Sequence, residues 1–73
     1  MTIYTSPSCT NCQALKKYLK IINVEYKEID VSIDQDAFSK VVIKTKKMEL
    51  PIIEYKDKYL VGFNINEIEK LYE

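Results

Sequence analysis

The sequence predicts a single α/β domain, residues 1–73, in which helices flank a mixed four-stranded sheet. Three observations support this fold class. The chain is 73 residues long, which is the length of one small domain. Its strand-like and helix-like segments follow the order β-α-β, then α, then β-β-α. A right-handed crossover makes the first two strands parallel, and the closing hairpin adds two antiparallel strands.

The first strand and the first helix meet at the two cysteines of the chain. Residues 2–5 are β-branched or aromatic, which is typical of a strand, and residues 6–8 form the turn that ends it. A helix follows and is predicted to end near Asn23. Its buried face should hold the apolar residues that recur at helical spacing, namely Leu15, Tyr18, Leu19 and Ile22. Cys9 and Cys12 therefore lie where a strand stops and a helix begins.

The second strand and the second helix are indicated by a change in the spacing of the apolar residues along the sequence. Residues 24–31 alternate loosely between polar and apolar side chains, as a strand does. Ser32 and Gln35 fit the capping-box pattern that begins a helix. One face of that helix is predicted to consist of Phe38, Val41, Val42 and Thr45.

The last part of the chain is predicted to form a hairpin followed by a short helix. Residues 51–55 and 59–61 read as two strands joined by a short loop. Gly62, the only glycine, follows at once and indicates a backbone angle or a close approach that other residues resist. Asn64 with Glu67 repeats the capping pattern. The buried stripe of this final helix is expected to hold Ile65, Ile68, Leu71 and Tyr72.

Composition narrows the possible functions. Eleven acidic residues balance eleven basic ones, so the net charge indicates neither nucleic acid nor a membrane as a partner. Histidine and arginine are absent, which removes histidine acid–base catalysis and bidentate recognition of phosphate. No apolar run reaches the roughly 20 residues of a membrane span. No basic-then-apolar leader opens the sequence, so we expect a cytoplasmic protein.

Cys9 and Cys12 carry the chemistry that the sequence predicts. They close too small a loop to stabilise the fold as a disulfide, whereas C-x-x-C beside a βαβ pattern in a cytosolic chain is a redox motif. A sulfur at a helix start faces unpaired N–H groups and the positive end of the helix dipole, which stabilises the thiolate. Two thiolates fill only half of a tetrahedral zinc site, so we expect no metal.

The order of the two cysteines predicts their roles. Cys9, the first at the helix start, is expected to attack a target disulfide and form a mixed disulfide. Cys12 would then resolve it and leave an oxidised Cys9–Cys12 pair. No carboxylate precedes Glu25, so water or a distant carboxylate must accept the Cys12 proton.

Four short motifs also carry a family resemblance. They are Tyr4-Thr5, Cys9-Thr10-Asn11-Cys12, Pro51 at the start of the third strand, and Gly62-Phe63 after the last strand. With them the chain resembles the smallest thioredoxin-fold proteins, the glutaredoxins and NrdH-type redoxins, over essentially its whole length. The resemblance implies a thioredoxin-like fold and a monomeric dithiol–disulfide oxidoreductase that reduces protein disulfides without a bound cofactor.

The resemblance also implies a substrate site. Its residues would be Thr10, Asn11, Leu50, Pro51, Gly62 and Phe63. Pro51 is expected to follow a cis peptide bond and to face the dithiol, so that Leu50 offers its backbone to an extended substrate. The Gly-Phe pair is similar to NrdH-type redoxins, which donate electrons to ribonucleotide reductase. Ser6 stands where glutaredoxins usually have a cation, which favours thioredoxin reductase over glutathione as the reductant.

A second resemblance is local. Residues 4–10, 51–53 and 61–64 are similar to parts of the Spx and arsenate-reductase-like family. This implies an alternative function, a redox-sensing adaptor that binds a protein such as RNA polymerase. The chain is too short for the helical insertion of that family, and it lacks the arginines that its arsenate reductases use.

Overall fold

The structure, a computed structural model, describes residues 1–71 and has the predicted order of helices and strands. The strands are β1 (Thr2–Thr5), β2 (Lys27–Asp30), β3 (Ile52–Tyr55) and β4 (Lys58–Val61). The helices are α1 (Thr10–Ile21), α2 (Gln35–Thr45) and α3 (Ile65–Lys70). None of the helices within residues 1–71 has the length and apolar character of a membrane-spanning segment.

The four strands form one mixed sheet in the order β2-β1-β3-β4. β1 and β2 are parallel, as the right-handed crossover requires, and Ile3 lies opposite Glu28. β3 runs antiparallel to both β1 and β4, and Ile3 also lies opposite Ile53. The predicted fold class is therefore confirmed, with β1 in the interior of the sheet directly before the cysteines.

The core consists of two clusters, one on each face of the sheet. The α1 cluster contains the buried residues Ile3, Leu15, Leu19, Ile53 and Ile68, so α1 and α3 share one face. The α2 cluster contains Tyr4, Val31, Val41 and Ile52 on the other face. Successive residues of a strand point to opposite faces, which is why neighbours such as Ile52 and Ile53 belong to different clusters. The sheet is thus covered on both sides, as predicted.

The helix starts confirm one capping prediction and correct another. Asn64 caps α3, and its side chain accepts the backbone N–H of Glu67 at 3.2 Å. The cap of α2 is Asp34 instead of Ser32, and its carboxylate accepts the N–H of Ala37 at 3.0 Å. Ser32 donates its own N–H and hydroxyl to Asp30 in the preceding turn, so its side chain is engaged there.

Three further expectations need correction. β2 spans Lys27–Asp30 instead of residues 24–31; Val24 and Tyr26 lie before it and pack against the α1 cluster, and Val31 follows it in the α2 cluster. Ile22 is the C-cap residue that follows α1 and is 38% exposed, and Ile65 is 44% exposed in the first turn of α3. The predicted position of Tyr72 lies outside the described residues.

The two core clusters predict a sharp contrast between two isoleucines. Ile53 is 0% exposed in the α1 cluster, whereas Ile43 of α2 is 73% exposed. Ile53→Val should lower the free energy of unfolding by about 0.5–1.5 kcal/mol, because it removes a buried methylene. Ile43→Val is the matched control and should change it by less than about 0.5 kcal/mol. Urea unfolding of both variants measures the difference, and equal effects would contradict this core.

Candidate active site

Cys9 is the N-cap residue of α1. Its backbone is extended, with φ −90° and ψ 112°, and its N–H donates to the carbonyl oxygen of Ser6 at 3.2 Å. Its Sγ accepts the backbone N–H of Cys12 at 3.1 Å. A sulfur therefore takes the place that a serine or aspartate oxygen commonly takes at a helix start. This is the environment, at the positive end of the helix dipole, that the sequence predicted.

Cys12 lies one helical turn further along and is 0% exposed. Its pKa is raised to about 12, chiefly by burial and also by its hydrogen bond with the Cys9 sulfur. A hydrogen bond with the Ser6 backbone and the charge of Lys16 act in the opposite direction. Both cysteines are free, so the structure shows the reduced dithiol. Since Cys9 is partly exposed and Cys12 is not, only Cys9 can meet a large substrate directly.

The sheet register brings two more predicted site residues to the same edge. Ile52 of β3 lies opposite Tyr4 of β1. Pro51, one residue earlier, therefore lies at the edge where β1 leads into the turn of Cys9. The N–H of Gly62 donates to the carbonyl oxygen of Pro51 at 2.8 Å, which holds Gly62 beside it. The turn of Cys9, Pro51 and Gly62 thus lie at the same edge of the sheet.

Leu50 and Pro51 have the backbone geometry that was expected. The peptide bond between them is cis, as the resemblance implied. Pro51 is buried, and the half-buried side chain of Leu50 packs against the α2 cluster. The role of these residues in binding substrate stays a prediction.

Gly62 is favoured by its backbone angle, and Phe63 packs against the core. Gly62 has φ +92°, and no atom lies within 4 Å of the place where a Cβ would be. The backbone angle, and not close packing, therefore favours glycine at this position. Phe63 is half-buried and packs edge-on against Tyr18 of α1, with ring centroids 6.1 Å apart. Thr10 and Asn11, between the cysteines, are exposed in the first turn of α1.

Sequence reasoning missed a charged pair close to the dithiol. The Nζ of Lys16 lies 3.1 Å from the Oε2 of Glu28, on β2. The same oxygen accepts the hydroxyl of Thr5 at 2.6 Å, and Thr5 is 2% exposed. A signal was present, because Lys16 follows Cys12 by four residues and so shares its helix face. The partner Glu28 could not be found, because it depends on the register of two strands far apart in sequence.

A cavity of about 300 Å³ adjoins this pair. It is open to solvent, and its lining includes Thr5, Gln13, Lys16 and Glu28. Water can therefore reach the helix face that carries Lys16. Within residues 1–71, no group of three or more cysteine, aspartate and glutamate side chains is placed to hold a metal ion.

Comparison with known proteins identifies the family. The family model described as Glutaredoxin matches residues 1–60, which include both cysteines, the cis-proline and the sheet except for Val61. The chain belongs to the glutaredoxin family. Membership of this family and the C-x-x-C motif support thiol–disulfide oxidoreductase activity. The match does not favour the local resemblance to the Spx family.

Individual relatives agree with the family match. A Clostridium pasteurianum protein, described as an uncharacterized glutaredoxin-like 8.6 kDa protein in a rubredoxin operon, is 34% identical over 97% of this chain and 95% of its own length. The glutaredoxin-like protein NrdH of Lactococcus lactis is 30% identical over 97% of both chains. The solved structure of Escherichia coli NrdH-redoxin covers 96% of this chain and 91% of its own, with 26% identity and a TM-score of 0.84. The thioredoxin-like fold is thereby confirmed.

The Glu28 contacts predict a pH-dependent contribution to stability. Its pKa is lowered, first by the hydrogen bond from Thr5 and also by the hydrogen bond and charge of Lys16, while burial acts in the opposite direction. A carboxylate with a lowered pKa stabilises the fold above its unfolded pKa of about 4.3, and this stabilisation is lost as the pH falls. Because the side chain is 37% exposed, Glu28→Gln should lower the free energy of unfolding at pH 7 by only about 0.5–1 kcal/mol.

Urea unfolding at neutral pH and at about pH 3 measures this contribution. The destabilisation by Glu28→Gln should shrink towards zero in acid. Glu25→Gln, at an exposed position just before β2, is the matched control and should have little effect at either pH. A Glu28→Gln effect of equal size at both pH values would contradict the assignment.

Proposed function

We propose that this thiol–disulfide oxidoreductase reduces disulfides in proteins, with Cys9 as the attacking cysteine and Cys12 as the resolving cysteine. The observation that carries the proposal is the difference between the two sulfurs. Cys9 is partly exposed at the helix start and receives an N–H, whereas Cys12 is buried with a raised pKa. A nucleophile must be accessible to its target, and a resolving thiol needs only to reach the neighbouring sulfur.

The reaction follows from this arrangement. The Cys9 thiolate attacks one sulfur of the target disulfide, and the other target sulfur leaves with the electron pair and takes a proton from water. The Cys12 thiolate then attacks Cys9, which forms the Cys9–Cys12 bond and releases the second target sulfur. The target disulfide gains two electrons and two protons, and the Cys9–Cys12 dithiol loses them. A reductant must restore the dithiol after each cycle.

A protein, rather than a small thiol, is the substrate that this edge of the sheet favours. The backbone of Leu50 lies at the edge where β1 ends, and an extended peptide can pair with it as an added strand. Thr10, Asn11, Pro51, Gly62 and Phe63 would line that site. Ribonucleotide reductase is the target we propose, on the Gly62-Phe63 pair and the likeness to NrdH proteins. The protein would act as a cytoplasmic monomer.

The turn before Cys9 supports thioredoxin reductase as the reductant. Ser6 stands where glutaredoxins usually have a cation, and its hydroxyl lies 3.1 Å from that of Ser8. The nearest lysine on α1, Lys16, is engaged with Glu28. A cation that could meet a glutathione carboxylate is therefore missing from this turn.

The two cysteine variants test the proposed function. The assay follows the reduction of insulin disulfides while dithiothreitol regenerates the dithiol. Cys9→Ser should reduce insulin no faster than the background rate. Cys12→Ser should still attack but should accumulate a mixed disulfide, because nothing resolves it. Ser39→Ala, exposed on α2, is the control and should keep full activity. Adducts on Cys9→Ser and none on Cys12→Ser would reverse the roles, and stoichiometric binding to RNA polymerase without turnover would favour the adaptor.

The choice of reductant has its own test. Oxidised protein should be reduced by NADPH with thioredoxin reductase, and only slowly by glutathione with glutathione reductase. Ser6→Lys should raise the rate with glutathione, because it restores a cation three residues before Cys9. The oxidation of NADPH measures both rates. Efficient turnover with glutathione and none with thioredoxin reductase would contradict the proposal.

A further inference from the structure

Lys16 stands out as a charged residue that the two-cysteine reaction does not yet use. We propose that Lys16 is a positioning residue for the resolving step, in which its ammonium stabilises the thiolate of the buried Cys12. The inference rests on the proposed function and adds a third residue to it. Glu28 and Thr5 take part indirectly, because they hold the ammonium in place.

The geometry places Lys16 beside Cys12. The two residues are four apart on α1, so their side chains lie on the same helix face. The Lys16 side chain is only 25% exposed, although lysine side chains on a helix surface are usually free in water. Its ammonium is fixed by Glu28 at 3.1 Å, and Glu28 is itself fixed by the buried hydroxyl of Thr5 at 2.6 Å. This chain of contacts ties α1 to Glu28 within β2 and to Thr5 at the end of β1.

The other groups around α1 leave Lys16 as the cation that acts on Cys12. From β2, Glu28 pairs directly with Lys16 at 3.1 Å, and Asp30 lines the same cavity. From β1, β3 and α3, the residues packed against α1 are the apolar members of the α1 cluster. The partly buried phenols of Tyr18 and Tyr26 pack against the same cluster. The groups that act on the Cys12 pKa are Cys9, the Ser6 backbone and Lys16.

Formation of the mixed disulfide increases the relative influence of Lys16 on the pKa of Cys12. In the reduced protein, the hydrogen bond with Cys9 and the charge of Cys9 both raise the pKa of Cys12. Once Cys9 is bonded to a target sulfur it carries no charge, so both influences weaken. Burial then remains as the cause that disfavours the thiolate, and the charge of Lys16 opposes it. Lys16 therefore matters most at the step in which Cys12 must attack.

The step itself leaves Lys16 chemically unchanged. The proton of Cys12 passes to solvent; Cys12 is 0% exposed in the reduced protein, and the cavity open to solvent lies beside Lys16 on the same helix. The Cys12 thiolate attacks the Cys9 sulfur, the Cys9–Cys12 bond forms, and the target sulfur leaves as a thiolate. The ammonium neither gives nor takes a proton. It stabilises the negative charge of Cys12 before the attack.

A two-phase reaction with a chromogenic disulfide separates the two cysteines. One equivalent of 5,5′-dithiobis(2-nitrobenzoate) reacts with the reduced protein and releases one coloured thiol when Cys9 attacks. The second coloured thiol is released when Cys12 resolves the mixed disulfide. Lys16→Gln should slow only the second release, by about three- to tenfold near pH 7, since a charge nearby changes a thiol pKa by up to about one unit. The difference should shrink as the pH rises.

The controls distinguish the loss of the Lys16 charge from a general change in the charge of α1 and from loss of the fold. Lys16→Arg should restore the second release, and Lys17→Gln, which removes an exposed charge from the same helix, should leave both releases unchanged. Circular dichroism checks that each variant is folded. Identical pH profiles of the second release for wild type and Lys16→Gln, or equal slowing by Lys17→Gln, would overturn the inference. If the wild type releases both thiols but reduces no protein disulfide, the proposed function fails, and the Lys16 comparison still stands.

Discussion

The hydrogen bond from the Cys12 N–H to the Cys9 sulfur is the interaction on which the site depends. At 3.1 Å it closes the first turn of α1 and holds the Cys9 sulfur at the helix start. A helix start must satisfy its free N–H groups, and here a thiol of the reactive pair does so. The group that begins the helix is therefore also the group that we propose meets the substrate.

The sheet supplies the second constraint, because it brings distant segments to this helix start. β1 ends just before the cysteines, and its neighbours bring Pro51 on one side and Glu28 on the other. The predicted substrate site and the charged pair thus flank the dithiol on opposite sides. One strand in the interior of the sheet can organise both because β2 pairs with it on one side and β3 on the other. The residues predicted to line the substrate site beside Cys9 thus come from the β3 side, and the partner of Lys16 comes from β2.

The sequence predicted what depends on local pattern. It placed β1 at residues 2–5, the cysteines at a helix start and Asn64 as a cap, because these follow from residue type and short-range spacing. It misplaced the cap of α2, because Ser32 and Asp34 are both good capping residues and the choice depends on the turn made by Asp30. It missed Glu28, because only the strand register shows which residue of β2 meets α1.

The packing of Leu50 has a consequence for how a partner would associate. Its side chain is anchored in the α2 cluster, and the Pro51 carbonyl next to it is bonded to Gly62. The backbone that a peptide would pair with is therefore already ordered before the peptide arrives. Ordering a loop on binding lowers affinity through lost conformational entropy, and here that loss falls on the peptide alone. A protein of this size can thus offer a rigid backbone to a partner without having to order a loop of its own.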